Sequence, residues 1–221
     1  MDRWNGGGFL LSPTLALTAH HVLADVSRVR VVFDHEVVNA RVGRVDRTSD
    51  LALLELDEPV DGHVFDLAAS SLMTGAQVGV IGFPLDDSKT LTVGTVSGLD
   101  REVTTVSGSY TQMLQTDTAI NPGSSGGPVL DLHGRIVGVA DAVRTDAQGI
   151  GFAVPASAVR RLLGSQAPAE RMQSCRARSG DERLSPDGAQ PVLGRLRVGG
   201  CDDPRRRVEP VGVAGERQPQ V

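Results

Sequence analysis

Short runs in which Val, Leu, Ile and Ala alternate with polar residues recur along roughly the first 155 positions. Gly, Pro, Asp or Ser separates one run from the next. A period of two marks a half-buried strand, because successive side chains point to opposite faces. The pattern predicts strands at 8–11, 15–18, 29–33, 37–45, 51–56, 78–83, 91–98, 113–116, 128–130, 135–142 and 149–154. Regular short strands with turn signals between them point to an all-β sandwich or barrel. At Pro155–Leu163, PASAVRRLL, the spacing becomes helical. Val159, Leu162 and Leu163 form one apolar face, and a proline suits the first turn of a helix.

Past residue 164 the pattern stops. Residues 165–221 hold ten arginines against eight acidic residues, a net charge of +2, with many Gly and Pro and no long apolar period. Such a stretch buries too little surface to offset its ordering entropy, so the whole tail is expected to be disordered. The preceding residues carry −7, from twelve basic and nineteen acidic side chains. A basic tail can bind nucleic acid, but here acids are interspersed and aromatic residues are absent, so Arg205-Arg206-Arg207 reads as a solvated run and no nucleic-acid partner is expected. Cys175 and Cys201 both fall in the tail, so the apolar core does not depend on disulfides. Aromatics make up only 3% of the chain, which leaves Val, Leu, Ile and Ala to build that core. No stretch approaches the roughly 18 apolar residues of a membrane span. Residues 1–11 lack the apolar region of a signal peptide. As written, the product is expected in the cytoplasm; a start further upstream would reopen a periplasmic or secreted location.

The chemistry concentrates at Gln115–Pro128, QTDTAINPGSSGGP. Ser125 sits among Gly123, Ser124, Gly126 and Gly127, and glycines let a backbone turn sharply and approach a substrate. A serine hydroxyl needs a base to become a nucleophile at neutral pH. His20 and His21 follow the apolar run 15–19, and Asp50 precedes the run 51–56. The order histidine, acid, serine excludes the G-x-S-x-G elbow of α/β-hydrolases, in which the serine comes first. Only His133 follows Ser125, and it is too close in sequence for that role. The other histidines, His35, His63 and His133, are scattered without zinc-type spacing, so no metal is expected.

Four segments carry a family resemblance. They are Thr18-Ala19-His20-His21-Val22, Asp50-Leu51-Ala52-Leu53-Leu54, Thr116–Pro128 (TDTAINPGSSGGP) and Gly149-Ile150-Gly151-Phe152-Ala153-Val154-Pro155. Together they resemble the trypsin-like serine peptidases, most closely the bacterial HtrA/Deg branch, over about residues 6–163. The resemblance implies two six-stranded antiparallel β-barrels with a short C-terminal helix and an active cleft between them. It implies a protease domain over 1–164: barrel one at about 1–70, barrel two at about 75–155, and a helix at 155–163. The tail of 165–221 is too short and irregular for a PDZ domain. Members normally have a strand before the segment matched by Gly6-Gly7-Gly8-Phe9, so the first barrel is expected to lack its opening strand and to leave an edge exposed.

The resemblance also implies roles. Ser125 is the expected nucleophile of a serine endopeptidase, His21 rather than His20 its base, and Asp50 rather than Asp46 the acid that orients the base. The N–H groups of Gly123 and Ser125 are the expected oxyanion donors. Ala119, Ile120, Ala140, Asp141 and Ile150 are expected to line the primary specificity pocket. Ala119 has no charge, so a small or medium aliphatic P1 residue is expected. Polypeptides are the implied substrates, self-association is compatible with the family, and no cofactor is called for.

Overall fold

The alternating apolar positions become the walls of two barrels. A computed structural model of the chain describes residues 4–33, 36–69, 72–84, 88–105, 108–143, 149–164 and 193–197. The first barrel uses β1 (Trp4–Ser12), β2 (Leu15–Ala19), β3 (Arg28–Phe33), β4 (Glu36–Asp46), β5 (Leu51–Leu56) and β12 (Leu193–Arg197). The second uses β6 (Gln77–Gly82), β7 (Thr90–Thr105), β8 (Gly108–Thr116), β9 (Pro128–Leu130), β10 (Ile136–Val143) and β11 (Gly151–Pro155). Both are closed, in the orders β1-β12-β3-β4-β5-β2 and β10-β11-β8-β7-β6-β9. A 3-10 turn (His20–Leu23) follows β2, and α1 (Ala156–Gly164) follows β11.

Burial explains which strands alternate strictly and which do not. β3 alternates, with Val29, Val31 and Phe33 inside the first barrel beside Val38 and Ala40 of β4. Val78, Val80, Val129, Val137 and Ala153 fill the second. β2 and β5 are apolar on both faces. One face fills the barrel: Ala16, Ala52 and Leu54. The other packs between the barrels, where Phe9, Leu17, Leu51 and Leu53 meet Ile81, Phe83, Ile136 and Val139. This shared layer fixes the two barrels against each other and sets the cleft geometry. α1 closes one flank through Ala158, Val159 and Leu162, as its helical spacing foretold. Pro155 ends β11 instead of opening the helix.

The tail expectation is corrected in one place. Leu193–Arg197 is a strand, antiparallel to β1 on one side (Gly7 opposite Arg195, Phe9 opposite Leu193) and to β3 on the other (Phe33 opposite Gly194, Arg30 opposite Arg197). It fills the place expected to be empty, so the first barrel has no open edge. The physical reason is backbone pairing. β1 and β3 each present a row of N–H and C=O groups that require partners, and a ladder satisfies them whatever the side chains. The rest of the tail, with Cys175, Cys201 and Arg205-Arg206-Arg207, lies outside the described residues.

The β7–β8 hairpin also runs longer than its apolar pattern. It continues through Asp100-Arg101-Glu102 with successive register shifts. Asp100 and Gln112 take left-handed backbone conformations there, at φ 53° and 61°.

Candidate active site

The pairing of Ala19 with Leu51 sets the ends of β2 and β5 side by side. The chain leaves β2 in the 3-10 turn, which carries both histidines past Asp50. Three hydrogen bonds join the segments. The His20 N–H donates to the Asp50 carbonyl (2.9 Å), the His21 N–H donates to Asp50 Oδ1 (2.9 Å), and His21 Nδ1–H donates to Asp50 Oδ2. Asp50 is 1% exposed and holds a left-handed φ of 51°. That conformation costs a non-glycine residue about 1–3 kcal/mol, and these bonds offset it. With Nδ1 committed as donor, Nε2 is left as the acceptor of a neutral ring. Burial of His21 opposes its protonation, but the Asp50 hydrogen bond and the charges of Asp50 and Asp141 outweigh it, and its pKa stands above the ordinary 6.5.

The two competitors have other partners. His20 stands farther off, with Nδ1 3.8 Å from Asp50 Oδ1 and Nε2 3.6 Å from Asp25 Oδ1. Asp46 caps its own turn, accepting from the Thr48 N–H (3.0 Å), the Thr48 hydroxyl (2.6 Å) and the Ser49 N–H (3.2 Å). Although burial acts against it, these bonds hold the Asp46 carboxyl below its usual range.

The loop that carries Ser125 is clamped from both barrels. Gly126 N–H donates to the Ala140 carbonyl and Ala140 N–H to the Gly127 carbonyl, both at 2.8 Å. Gly7 N–H, from β1, donates to the Ser125 carbonyl at 2.8 Å, and the buried Thr18 hydroxyl donates to the Gly7 carbonyl at 2.8 Å. Gly126 has φ +85°, and a Cβ there would lie 2.3 Å from the Gly7 carbonyl oxygen. Gly123 also sits at positive φ, 95°. Among the described residues neither the Gly123 N–H nor the Ser125 N–H donates to a protein acceptor. Both donors are therefore free to bind an oxygen from outside. Ser125 Oγ donates to the Asp141 carbonyl at 2.9 Å. In this resting rotamer its partner is that carbonyl and not the His21 ring, and such bonds commonly tighten only in the substrate complex.

The residues expected around the specificity pocket separate into two groups. Ala119 is exposed, and its carbonyl accepts from the Thr92 hydroxyl (2.9 Å). Ile120 is buried beside Gly151, where an added Cβ would stand 3.0 Å from Ile120 Cδ1, and Ile150 is half-buried next to it. Ala140 is fully buried in the second barrel's core. Asp141 aims its carboxyl at His21, with Oδ1 3.4 Å from Nδ1. The β10–β11 register shifts between Ala140 and Ala142. Such a bulge re-aims a side chain away from simple alternation. Tyr110 of β8 is a contributor with no signal in the sequence. It is buried behind the site, and its hydroxyl is pushed up to about 12 by burial and by the charges of Asp50 and Asp141.

His21, Asp50 and Asp141 are the described residues grouped closely enough to be tested as metal ligands. Ligand atoms sharing a zinc ion each lie about 2 Å from the metal. His21 Nδ1 and Asp50 Oδ2 instead touch each other directly, which is hydrogen-bond geometry.

An imidazole oriented by a buried acid, a serine on a glycine loop and two free N–H groups are the parts that acyl transfer uses. The family profile of the trypsin-like peptidase domain matches residues 6–139, and the chain belongs to that family. It is 38% identical over 159 residues to the putative serine protease HhoB of Synechocystis, covering 70% of this chain and 38% of that protein. It is 40% identical over 158 residues to the serine protease Do-like HtrA of Bacillus subtilis, covering 66% and 34%. The chain therefore spans little more than a third of the length of these relatives. Among solved structures, the active form of the Rv3671c protease of M. tuberculosis aligns with a TM-score of 0.65 at 27% identity, over 72% of each chain. An HtrA-type protease, AlgW, with a decapeptide aligns with a TM-score of 0.64 at 30% identity, over 73% of this chain and 51% of that one. No helix among the described residues is long and apolar enough to cross a membrane.

Proposed function

We propose that the chain is a serine endopeptidase that hydrolyses peptide bonds through an acyl-enzyme. Ser125 attacks the scissile carbonyl, and His21 Nε2 takes the hydroxyl proton. The proton then passes from His21 to the leaving amine. Asp50 holds the ring and stabilises the imidazolium. The developing oxyanion binds the Gly123 and Ser125 N–H groups. Water then repeats the sequence to release the acid product. The observation that carries this reading is the pair of hydrogen bonds from His21, backbone and ring, to one buried carboxylate.

The P1 side chain is small or medium and aliphatic. Uncharged Ala119, the apolar Ile120 wall and Asp141's commitment to His21 support this preference. Two relatives are named probable periplasmic DegP-like endoproteases, which supports exported or surface-exposed polypeptides as substrates.

The test is fluorophosphonate labelling and casein cleavage by the full chain beside Ser125→Ala, followed by a peptide panel differing only at P1. Labelling and cleavage lost in the variant, with Val or Ala preferred at P1, is the expected result. A folded wild type that neither labels nor cleaves would overturn the peptidase reading, and a preference for Lys or Arg would overturn the pocket assignment.

A further inference from the structure

Asp50 is not the only carboxyl facing the base. Asp141 brings a second, with its side chain 2% exposed and Oδ1 3.4 Å from His21 Nδ1. Its other oxygen, Oδ2, is buried with no hydrogen-bond partner among the described residues. The nearest ligand-type atoms of His21, Asp50 and Asp141 all lie within 4.8 Å of one another. Both oxygens of Asp50 are already occupied by His21. Asp141 is thus surplus to a histidine–acid–serine arrangement, yet it is buried at its centre.

Two desolvated carboxylates this close repel, and the cheapest remedy is for one to keep its proton. A protonated carboxyl is a hydrogen-bond donor, and the neighbouring Asp50 carboxylate is an acceptor. We propose that Asp141 is a positioning residue of this site, a protonated acid that shares its proton with Asp50 so that the pair faces His21 with one negative charge.

Burial first, then the charge and hydrogen bond of Asp50, push the Asp141 carboxyl up to about 8, against the pull of His21. At neutral pH the acid therefore holds its proton. During acylation the balance is simple. His21 gains the Ser125 proton, its positive charge faces the pair's single negative charge, and Asp141 keeps its own proton throughout. In alkali Asp141 ionises. A second negative charge then sits beside Nδ1, favours the imidazolium and competes with Asp50 for the Nδ1–H. The fraction of neutral, correctly oriented base falls. The groups that face Asp141 are His21 from the 3-10 turn, Asp50 ahead of β5, Tyr110 from β8 and Ser125 from the glycine loop, while His20 lies on the far side toward Asp50 and Asp25. Because the Asp141 carbonyl also accepts the Ser125 hydroxyl, one residue touches base and nucleophile together.

This inference rests on the peptidase reading for its kinetic consequence, but not for the protonation itself. The experiment is the pH profile of kcat/KM, from about pH 5.5 to 10, for wild type, Asp141→Asn and Asp141→Ser. Alongside it, the downfield Nδ1 proton of His21 is followed by NMR. Wild type should show a falling limb near pH 8. Both variants should lose that limb, keep the rising one at reduced height, and leave the His21 titration midpoint little changed, since a neutral acid is replaced by a neutral side chain. A falling limb that survives in the variants would overturn the proposal. If neither variant folds, ¹³C-carboxyl NMR of Asp-labelled Ser125→Ala protein decides. One buried carboxyl titrating above pH 7 supports the shared proton, and full ionisation of every aspartate by pH 6 sinks it. If wild type is inactive at every pH, the peptidase reading fails, while the carboxyl titration still judges Asp141.

Discussion

Gly7 donates its backbone N–H to the carbonyl of Ser125 at 2.8 Å, so a strand of the first barrel grips the glycine loop carried by the second. Gly7 is also registered opposite Arg195 of the tail strand β12. The tail segment is thus one strand away from Ser125.

Cutting the chain after Gly164 should therefore damage both fold and site. The lost ladder bonds contribute about 0.5–1.5 kcal/mol each, against a total stability of roughly 5–15 kcal/mol. We predict a melting temperature lower by more than about 10 °C and fluorophosphonate labelling reduced at least tenfold. A peptide spanning 191–199 should restore part of each when added in excess. Unchanged melting and labelling in the truncated chain would show that β12 is dispensable.

The two histidines should separate cleanly. His21→Ala should abolish labelling, whereas His20→Gln should keep it within a few-fold, since only His21 shares its ring proton with Asp50. Asp50→Asn should lower kcat by about 10⁴, because an amide selects the wrong imidazole tautomer. Steady-state kinetics on one peptide substrate compares all three.

On the acid side the base must be neutral to work. The His21 pKa is raised above 6.5. Activity should therefore climb as pH rises through a midpoint above 6.5, and a midpoint below 6 in the kcat/KM profile would contradict the buried ion pair.

Stability should carry the opposite trend from Asp141. Its folded pKa, about 8, exceeds the ordinary 3.8. The folded chain then binds a proton that the unfolded chain has released, so this contribution is present at low pH and is lost as pH rises toward 8. Urea unfolding of Asp141→Asn against wild type should show the variant gaining relative stability from pH 5 to pH 8.5. A difference independent of pH would contradict the raised value.

Two glycines at similar φ should respond very differently. Gly134 (φ +74°) has open space around a prospective Cβ, whereas at Gly126 (φ +85°) the Cβ would meet the Gly7 oxygen at 2.3 Å and Thr18 Oγ1 at 2.4 Å. Gly134→Ala should cost about 1 kcal/mol, the left-handed penalty alone. Gly126→Ala should cost several times that and lose labelling, as thermal melts and probe reaction will report.

Much of this was legible in the residues because local chemistry and fold agree. Alternation marked the barrel strands, and the small residues of 123–127 announced a backbone that turns sharply. Three features escaped for separate reasons. The outer β7–β8 hairpin turns Val103 and Tyr110 inward, but successive register shifts break the alternation, so no clean apolar period marks Asp100-Arg101-Glu102. The strand Leu193–Arg197 is held by pairing with residues more than 160 positions away, and its short sequence carries no strong pattern. The family resemblance places Asp141 in the pocket, but a bulge at that point accompanies a carboxyl turned to His21. A local irregularity of one residue is enough to turn a carboxyl toward His21.

The closure of the first barrel has a consequence in time. Its last stave comes after every other described strand, so a chain synthesised from its N-terminus can finish the second barrel while the first still stands open between β1 and β3. Until residue 197 arrives, the strand that grips Ser125 lacks its outer neighbour. Assembly thus places the last brace beside Ser125 only after the other described strands have been made, so the strand that grips this serine is completed late.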